Sequence, residues 1–517
     1  MSILSQIFLK LSYQRLKKIE ESRNDPFISQ LKQFYSLLES GKKTGFGKEH
    51  QFNSIETIEQ YQQRVPLRDY EGFESYIRRV RSGEKFLLWD TPVKWFAKSS
   101  GTSSSKSKFI PVTKESLEHC HYSGMKKMLA TYINQNPKSK LFNGNALTLG
   151  GSVTNDELGK GKTYCGDLSA ILLKNSPFWA ETRRVPNQKI ALLPGFEQKV
   201  EIISKNAYKY NVSSFSGVPS WNLVMLQSIL DYTGKKFVGE IWPNLELFMH
   251  GGINFEPYKA EFKKIIPHDN MHYMENYNAS EGYFAFQDDF SDPSMLLLTE
   301  NGVFYEFIPV GKLEQALSGS FTAFNTCDNV KTDTNYALVI TTNGGLWRYL
   351  IGDTISFTSL KPHKFIITGR TQLFINAFGE ELMIHNAEKA LSMACEKHNV
   401  SVANYTVAPL FMSNNSKGSH QWLIEFSGNK PDKNQFKVAL DTFLCEINSD
   451  YEAKRANNTT MSAPDMVFLK EGVFYSWLKT KGKLGGQNKV PRLYPSRLYA
   501  DELIALNNGT ESIRTAE

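Results

Sequence analysis

The spacing of apolar residues changes character along the chain. Up to about residue 90 the apolar positions recur at helical intervals between polar connections, as in Asp25 to Leu38. At the start, Leu4, Ile7, Phe8 and Leu11 share one helical face, which predicts an amphipathic helix laid against the core. From about 95 to 370, strand-like runs such as Ala146-Leu147-Thr148-Leu149 and Ala337-Leu338-Val339-Ile340 alternate with helical stretches such as Ser220 to Leu230. That alternation predicts an α/β layered domain. No internal repeat or low-complexity tract interrupts it.

The last 150 residues predict an ordered set of elements. A strand at 372–376 precedes Gly379 and a helix from about 380, with Leu382, Ala387, Leu391 and Ala394 near one face. Strands follow near 402–411 and 419–427, and in the second Trp422, Ile424 and Phe426 alternate with Leu423 and Glu425. A helix at 432–448 and a strand at 466–469 complete the order β-α-β-β-α-β, which is the ferredoxin-like arrangement. The expected architecture is a large multi-sheet α/β domain over 1–370 and a small ferredoxin-like α+β domain over 371–517. Between them, Gly369 in Ile367-Thr368-Gly369-Arg370-Thr371 suits either a hinge or a strand turn.

Composition narrows the class. With 517 residues, 41% hydrophobic and 22% charged, the chain can bury several cores and is neither disordered nor fibrous. The net charge of +7 is dispersed, with no block of Lys and Arg, so a nucleic-acid partner is not expected. Five cysteines form no C-x-x-C pair, and an odd number fits a reducing cytoplasm better than secretion. No apolar run reaches the roughly 20 residues that span a bilayer. The N-terminal stretch lacks a basic leader and a small-residue cleavage signal, so no stable membrane association is expected.

Four segments carry candidate chemistry. Ser99-Ser100-Gly101-Thr102-Ser103-Ser104-Ser105-Lys106 combines hydroxyl donors, close backbone approach at Gly101 and the charges of Lys106 and Lys108, as a triphosphate requires. It is not a Walker A loop, because Ser105 stands where a glycine would precede the lysine and the strand-like Phe109-Ile110-Pro111 follows in place of a helix. Tyr277-Asn278-Ala279-Ser280-Glu281-Gly282 places one carboxylate after small residues, an arrangement that can hold Mg2+ beside phosphates. Asn343-Gly344 after an apolar run predicts a hairpin that delivers Asp353 beyond a second strand, where its carboxylate can accept from ribose hydroxyls. Lys479 to Arg492, rich in Gly and Lys, can carry an ammonium into a site built elsewhere. Each segment alone has a solvent loop or turn as its plain alternative.

Taken in order and spacing, the four resemble the motifs of the plant auxin-responsive acyl-acid amido synthetases, the Gretchen Hagen family of the adenylate-forming superfamily. The resemblance covers nearly the whole chain. It is carried by Ser99 to Ser103, Tyr277 to Glu281, Arg348 to Asp353, and Gln487-Asn488-Lys489-Val490-Pro491-Arg492. The sequence departs from the plant pattern at Ser104 and Ser105, where glycine is usual, and at the apolar Leu350-Ile351.

The resemblance implies that Ser99, Ser100, Gly101, Thr102, Ser103 and Lys106 grip ATP phosphates. It implies that Tyr277 packs near the adenine with Ser280 close by, that Glu281 binds Mg2+, and that Asp353 holds the ribose. Arg370 joins the ATP contacts, and Gly251 in His250-Gly251-Gly252 lies where the backbone would pass close to the adenine. Lys489 would bridge the acyl carboxylate and the phosphate during adenylation. Gly151, Ser152, Ser216 and Trp221 are expected near the acyl group because they lie between the first two motifs. The implied activity is adenylation of a carboxylic acid with ATP and Mg2+, followed by transfer to an amine such as an amino acid. Capture of the same adenylate by coenzyme A, or a non-catalytic nucleotide-binding role on the same fold, are the alternatives.

Overall fold

The computed structural model describes residues 3–99, 108–159, 162–253, 255–371, 374–412, 417–456, 460–481 and 490–509. Its centre is an eleven-stranded sheet. In spatial order the strands are Val303–Pro309, Asn335–Thr342, Tyr349–Leu360, His363–Arg370, Met295–Leu297, Gly282–Gln287, His272–Ala279, Leu247–His250, Val212–Gly217, Asn145–Thr148 and Arg184–Val185. Neighbours are antiparallel as far as His272–Ala279 and parallel from there on. The parallel half takes helices such as Pro219–Thr233 and Glu256–Ile265 on its faces, as crossover connections demand. A second, four-stranded sheet contains Lys108–Val112, Trp95–Ser99, Tyr164–Gly166 and Val153–Asn155.

The first 90 residues are helical as expected, and they cover an edge of the large sheet. In helix Pro26–Gly41, N-capped by Asp25, the fully buried Gln30 donates to the carbonyls of Thr299 (2.7 Å) and Val303 (2.9 Å) and accepts from Tyr305 N–H (2.7 Å). One amide thus satisfies backbone groups that an open edge strand would leave free. The N-terminal helix Ile3–Asn24 differs from the sequence expectation. Leu4, Ile7 and Leu11 are exposed, whereas Ser5, Ser12, Ile19 and Ser22 are buried and Phe8 reaches Phe142 at 4.7 Å between ring centroids. Small serines let the helix approach its support closely, and this outweighs burying the leucines. Among the described residues, no helix is long and apolar enough to cross a membrane.

The C-terminal elements occur in the expected order, but the pairing differs. The first strand, Phe374–Ile375 among the described residues, pairs with Leu382–Met383 in a separate ribbon, and the helix begins only at Ile384. The sheet therefore holds three strands among the described residues, Ser401–Leu410, Ser419–Ser427 and Asp465–Phe468, not the four of a ferredoxin-like sheet. Asp465–Phe468 runs parallel to Ser419–Ser427, and helices Lys433–Ile447 and Ser449–Arg455 make the crossover. The strand Ser419–Ser427 is buried on both faces: Trp422, Ile424 and Phe426 meet one apolar cluster and Leu423 another. Buried Glu425 on the second face accepts from the N–H groups of Gly472 (3.0 Å) and Phe474 (3.2 Å). The first of those clusters also contains Phe215, Phe248 and Tyr258 from the preceding domain.

Candidate active site

The carboxyl ends of the parallel strands gather several of the expected site residues. Thr148, Ser216-Gly217, His250 and Ala279 end neighbouring strands, and the segments Gly150-Gly151-Ser152, Gly251 and Ser280-Glu281 follow directly. Side chains and backbone leave a parallel sheet into a common crevice at this end, which is where open α/β sheets bind ligands. The strand His272–Ala279 is also where the sheet changes from parallel to antiparallel pairing, and this junction brings Asp353 and Arg370 into the crevice from the other half.

Asp353 and Arg370 face one another as a register pair between Tyr349–Leu360 and His363–Arg370. The Arg370 Nε lies 2.7 Å from one Asp353 oxygen, and the Tyr277 hydroxyl donates to the other. Asp353 therefore sits within its strand and not beyond it, a correction to the hairpin expectation: the fold-back residues at 343–348 precede the strand, and its first four residues lead to Asp353. Tyr277 is buried with its ring 4.9 Å from Phe284, and burial together with Asp353 raises its phenol far above the ordinary range. Against burial, which lowers it, the Asp353 carboxylate and then Glu381 raise the Arg370 guanidinium. Burial pushes the Glu281 carboxyl up to about 7, with Lys108 as the main opposing charge. Gly369 lies inside the strand His363–Arg370 and not at a turn between strands.

The strands on either side of the expected phosphate-gripping segment, Trp95–Ser99 and Lys108–Val112, are antiparallel, with Ser99 opposite Lys108. Ser100, Gly101, Thr102, Ser103 and Lys106 lie outside the described residues, as does Lys489. Lys108 is buried at the start of its strand, where burial lowers its ammonium and Glu281 raises it. Near the Lys489 segment, Arg492 O accepts from Val407 N–H (2.9 Å), and the guanidinium lies 4.8 Å from the Tyr405 ring centroid.

The residues expected near the acyl group lie at the ends of neighbouring strands and the helix that follows. Ser152 N–H donates to Asp167 (2.8 Å) and Gly151 N–H to Ser169 Oγ (3.0 Å), while the Lys199 ammonium donates to Gly150 O and, at 3.3 Å, to Gly151 O. A Cβ at Gly151 would stand 1.8 Å from Asp167 Oδ2, so this turn requires glycine. Ser216 Oγ is 3.4 Å from Thr148 Oγ1, and Trp221 stands at the start of helix Pro219–Thr233. At Gly251 the tight approach is to the chain itself, with a hypothetical Cβ 2.4 Å from Asn276 O. Next to it His250 stacks on Phe255 at 4.1 Å, and burial pushes its imidazole down to about 3.

Several residues at the site carried no sequence signal. Glu381 comes within 3.9 Å of Arg370, and Lys454 packs on Trp221; the first falls in the helix expected from about 380 and the second between the helix expected at 432–448 and the strand expected at 466–469. Arg348, within the third motif, points away from the crevice and makes a buried ion pair with Glu306. Its flanking glycines marked a turn but gave no hint of this partner.

A large mixed sheet with Glu281 just past the carboxyl end of a strand at the parallel-to-antiparallel switch, followed by a smaller C-terminal sheet, is an arrangement found in solved structures. The chain shares its fold with the GH3.15 acyl acid amido synthetase (TM-score 0.58, 17% identity, 96% of this chain and 97% of that one). It also matches 2-hydroxyisobutyryl-CoA ligase in complex with 2-HIB-AMP and CoA (TM-score 0.51, 11% identity, 94% and 93%). Family models for the GH3 family N-terminal, central and C-terminal domains match residues 15–271, 296–370 and 385–497. The chain belongs to the GH3 family. Among similar sequences are indole-3-acetic acid-amido synthetase GH3.6 of Arabidopsis thaliana (22% identical, 92% of this chain and 90% of that protein) and jasmonoyl–L-amino acid synthetase JAR6 of Nicotiana attenuata (23%, 92% of each).

Proposed function

We propose that this site adenylates a small carboxylic acid with ATP and passes the acyl group to the amine of an amino acid. The observation that carries the reading is the assembly of Tyr277, Asp353, Arg370, Glu281 and Lys108 around one crevice at the switch from parallel to antiparallel strands. Family membership and the names of the relatives, which are amino acid conjugating enzymes, support it.

A carboxylate resists attack by an amine because its negative charge repels nucleophiles and oxide is a poor leaving group. In the proposed first step a carboxylate oxygen bonds to the α-phosphorus and pyrophosphate leaves. In the second, the neutral amine nitrogen bonds to the acyl carbon, the carbon–oxygen bond to AMP breaks, and the amine proton passes to solvent. Little covalent work falls to the protein, so positioning and charge stabilisation dominate. Ser99 to Ser103 and Lys106 would hold the phosphates, Asp353 the ribose, and Ser280, Tyr277, Arg370 and Gly251 would border the nucleotide. Gly151, Ser152, Ser216 and Trp221 would line the acyl side, and Lys489 would bridge the two reactants.

Among the described residues no cluster of three metal-binding side chains exists. The Glu281 carboxylate, with Lys108 as its main opposing charge, nevertheless fits Mg2+, which commonly takes one or two carboxylates and completes its shell with phosphate oxygens and water. Glu281 would hold the ion, which supplies charge neutralisation to the polyphosphate. The C-terminal unit over 371–517 would reorient between the steps and withdraw Lys489. Five free cysteines accord with a cytoplasmic setting.

The test is acid-dependent ATP–pyrophosphate exchange over a panel of carboxylic acids, followed by mass spectrometry of products formed with amino acids or with coenzyme A. Exchange lost in Glu281→Ala and strongly reduced in Lys489→Ala is expected, with AMP and an amide as products. ATP cleaved to ADP without AMP would refute the reading, and a thioester as the sole product would favour the coenzyme A alternative.

A further inference from the structure

The helix Ile3–Asn24 is held to the body of the protein by one face and turns a different, apolar one to solvent. Ser5, Ser12, Ile19 and Ser22 are buried, Phe8 meets Phe142, and Arg23 pairs with Asp288, so the helix cannot roll without losing these contacts. Leu4, Ile7 and Leu11 stand 50%, 51% and 71% exposed. Their i, i+3, i+7 spacing puts them in one line along the helix. Gln14 and Lys18 continue that line, and Lys10 and Arg15 flank it.

Charge on this helix is one-sided. From Ile3 to Ile19 there are four cations, Lys10, Arg15, Lys17 and Lys18, and no Asp or Glu. Lys17 has Glu21 at 3.8 Å, but among the described residues no carboxylate stands within ion-pair distance of Lys10, Arg15 or Lys18. The stripe ends at a cavity of about 590 Å3 bordered by Leu11, Arg15 and Lys18, and also by Lys126 of helix Tyr122–Gln135. Burial lowers the Lys126 ammonium and Arg15 lowers it further, the mark of two cations sharing one space. Two of the cavity's carboxylates are engaged: Glu300 lies 2.6 Å from Lys127, and Glu115 accepts from Trp89 Nε1 (3.2 Å) and Thr91 Oγ1 (2.8 Å). Glu118 remains to face Arg15, Lys18 and Lys126.

We propose that this face is a reversible docking surface for an anionic lipid bilayer, with Leu4, Ile7 and Leu11 entering the headgroup boundary and Lys10, Arg15, Lys18 and Lys126 meeting lipid phosphates. A bilayer supplies what the face lacks, negative charge beside an apolar layer, and it needs no matching groove. A second copy of the chain is a poor occupant, since a symmetric contact through this face would bring like charges together. That no described helix can span a bilayer bears on insertion, not on contact with the surface.

The test sediments the full chain with phosphatidylcholine vesicles, with and without phosphatidylglycerol as a third of the lipid, in low and in high salt. Binding to the anionic vesicles that high salt reverses, with little to the neutral ones, is expected. Ile7→Ser with Leu11→Ser should weaken it at least about tenfold, and Lys10→Gln and Lys18→Gln roughly fivefold each. Val438→Ser, which alters another exposed apolar side chain on helix Lys433–Ile447, should change nothing. Lys10 and Lys18 lie at the surface, so their variants keep the outcome readable if the apolar pair loses stability. Equal sedimentation with neutral and anionic vesicles, none with either, or full binding by the lysine and apolar variants would overturn the proposal. So would a dimer in sedimentation velocity that Ile7→Ser with Leu11→Ser returns to monomer, which would assign the face to a second copy.

Discussion

Replacing Arg348 by Met should destabilise the protein by about 4 kcal/mol, and the structure shows why the effect is large. Arg348 is 1% exposed and Glu306 likewise. The Arg348 Nε lies 3.2 and 3.0 Å from the two Glu306 oxygens, and Nη1 donates to the carbonyls of Gln62 (2.7 Å) and Val65 (2.6 Å). One guanidinium therefore ties the helix Ile58–Arg64 to the strand Val303–Pro309 and to the start of the strand that carries Asp353. Without it, Glu306 keeps only Gln62 Nε2 at 3.0 Å, and two buried carbonyls lose their donor. Removing one partner of such a pair costs about 3–5 kcal/mol, whereas replacing both by apolar residues is often close to neutral. Arg348→Met with Glu306→Leu should therefore recover about 2 kcal/mol relative to the sum of the single changes. Urea denaturation followed by fluorescence of the adjacent Trp347, with all four proteins of the cycle compared at equal m-value, measures it. A single Arg348→Met variant within 1 kcal/mol of wild type, or strictly additive effects, would refute the reasoning.

Acid should weaken the fold through two buried histidines. Burial pushes His121, whose Nδ1 meets Asn278 Oδ1 at 2.8 Å, down to about 4 and His250 to about 3, against an ordinary 6.5. The unfolded chain therefore takes up protons that the native state refuses, and stability falls as pH drops below about 6.5; for His121 the loss reaches about 2 kcal/mol by pH 5. Urea midpoints at pH 7 and pH 5 should show this, and His121→Gln should flatten the dependence. Gly151→Ala should drive Asp167 from its place and raise KM for the acid at least about tenfold, whereas Gly234→Ala, with open space around it, should cost only about 1 kcal/mol of backbone strain. Steady-state kinetics and thermal unfolding separate the two. Chelation with EDTA should abolish pyrophosphate exchange and added Mg2+ restore it, with Glu281→Gln demanding more of the ion; exchange that persists in EDTA would contradict the role given to Glu281.

The sequence was most legible where chemistry and chain direction coincide. The strands that flank the Ser99 to Lys106 segment could be read from their apolar residues, and the turn at Ser280-Glu281 from its small residues. Pairing between distant segments left no such trace. Nothing local distinguishes a strand at 374–375 that joins a sheet from one that folds onto Leu382–Met383, and nothing near Arg348 announces Glu306. The N-terminal helix misled for a related reason. Apolar spacing marks a face that can be buried, but the contact actually made depends on how closely two backbones approach, and there the serines decided. Lys454 was silent because the Trp221 it packs on is distant in sequence, at a meeting of the C-terminal elements with those around the larger sheet.

That meeting has a thermodynamic signature. Tyr258 of the larger domain donates its hydroxyl to Ala377 O and sets its ring 6.1 Å from that of Phe411, within an apolar cluster continuous across both units. Any turning of the C-terminal unit must wet part of that cluster and so absorb heat capacity. The turnover rate of an enzyme limited by this motion would bend away from a straight Arrhenius line, and the curvature would report how much oily surface is uncovered in each cycle.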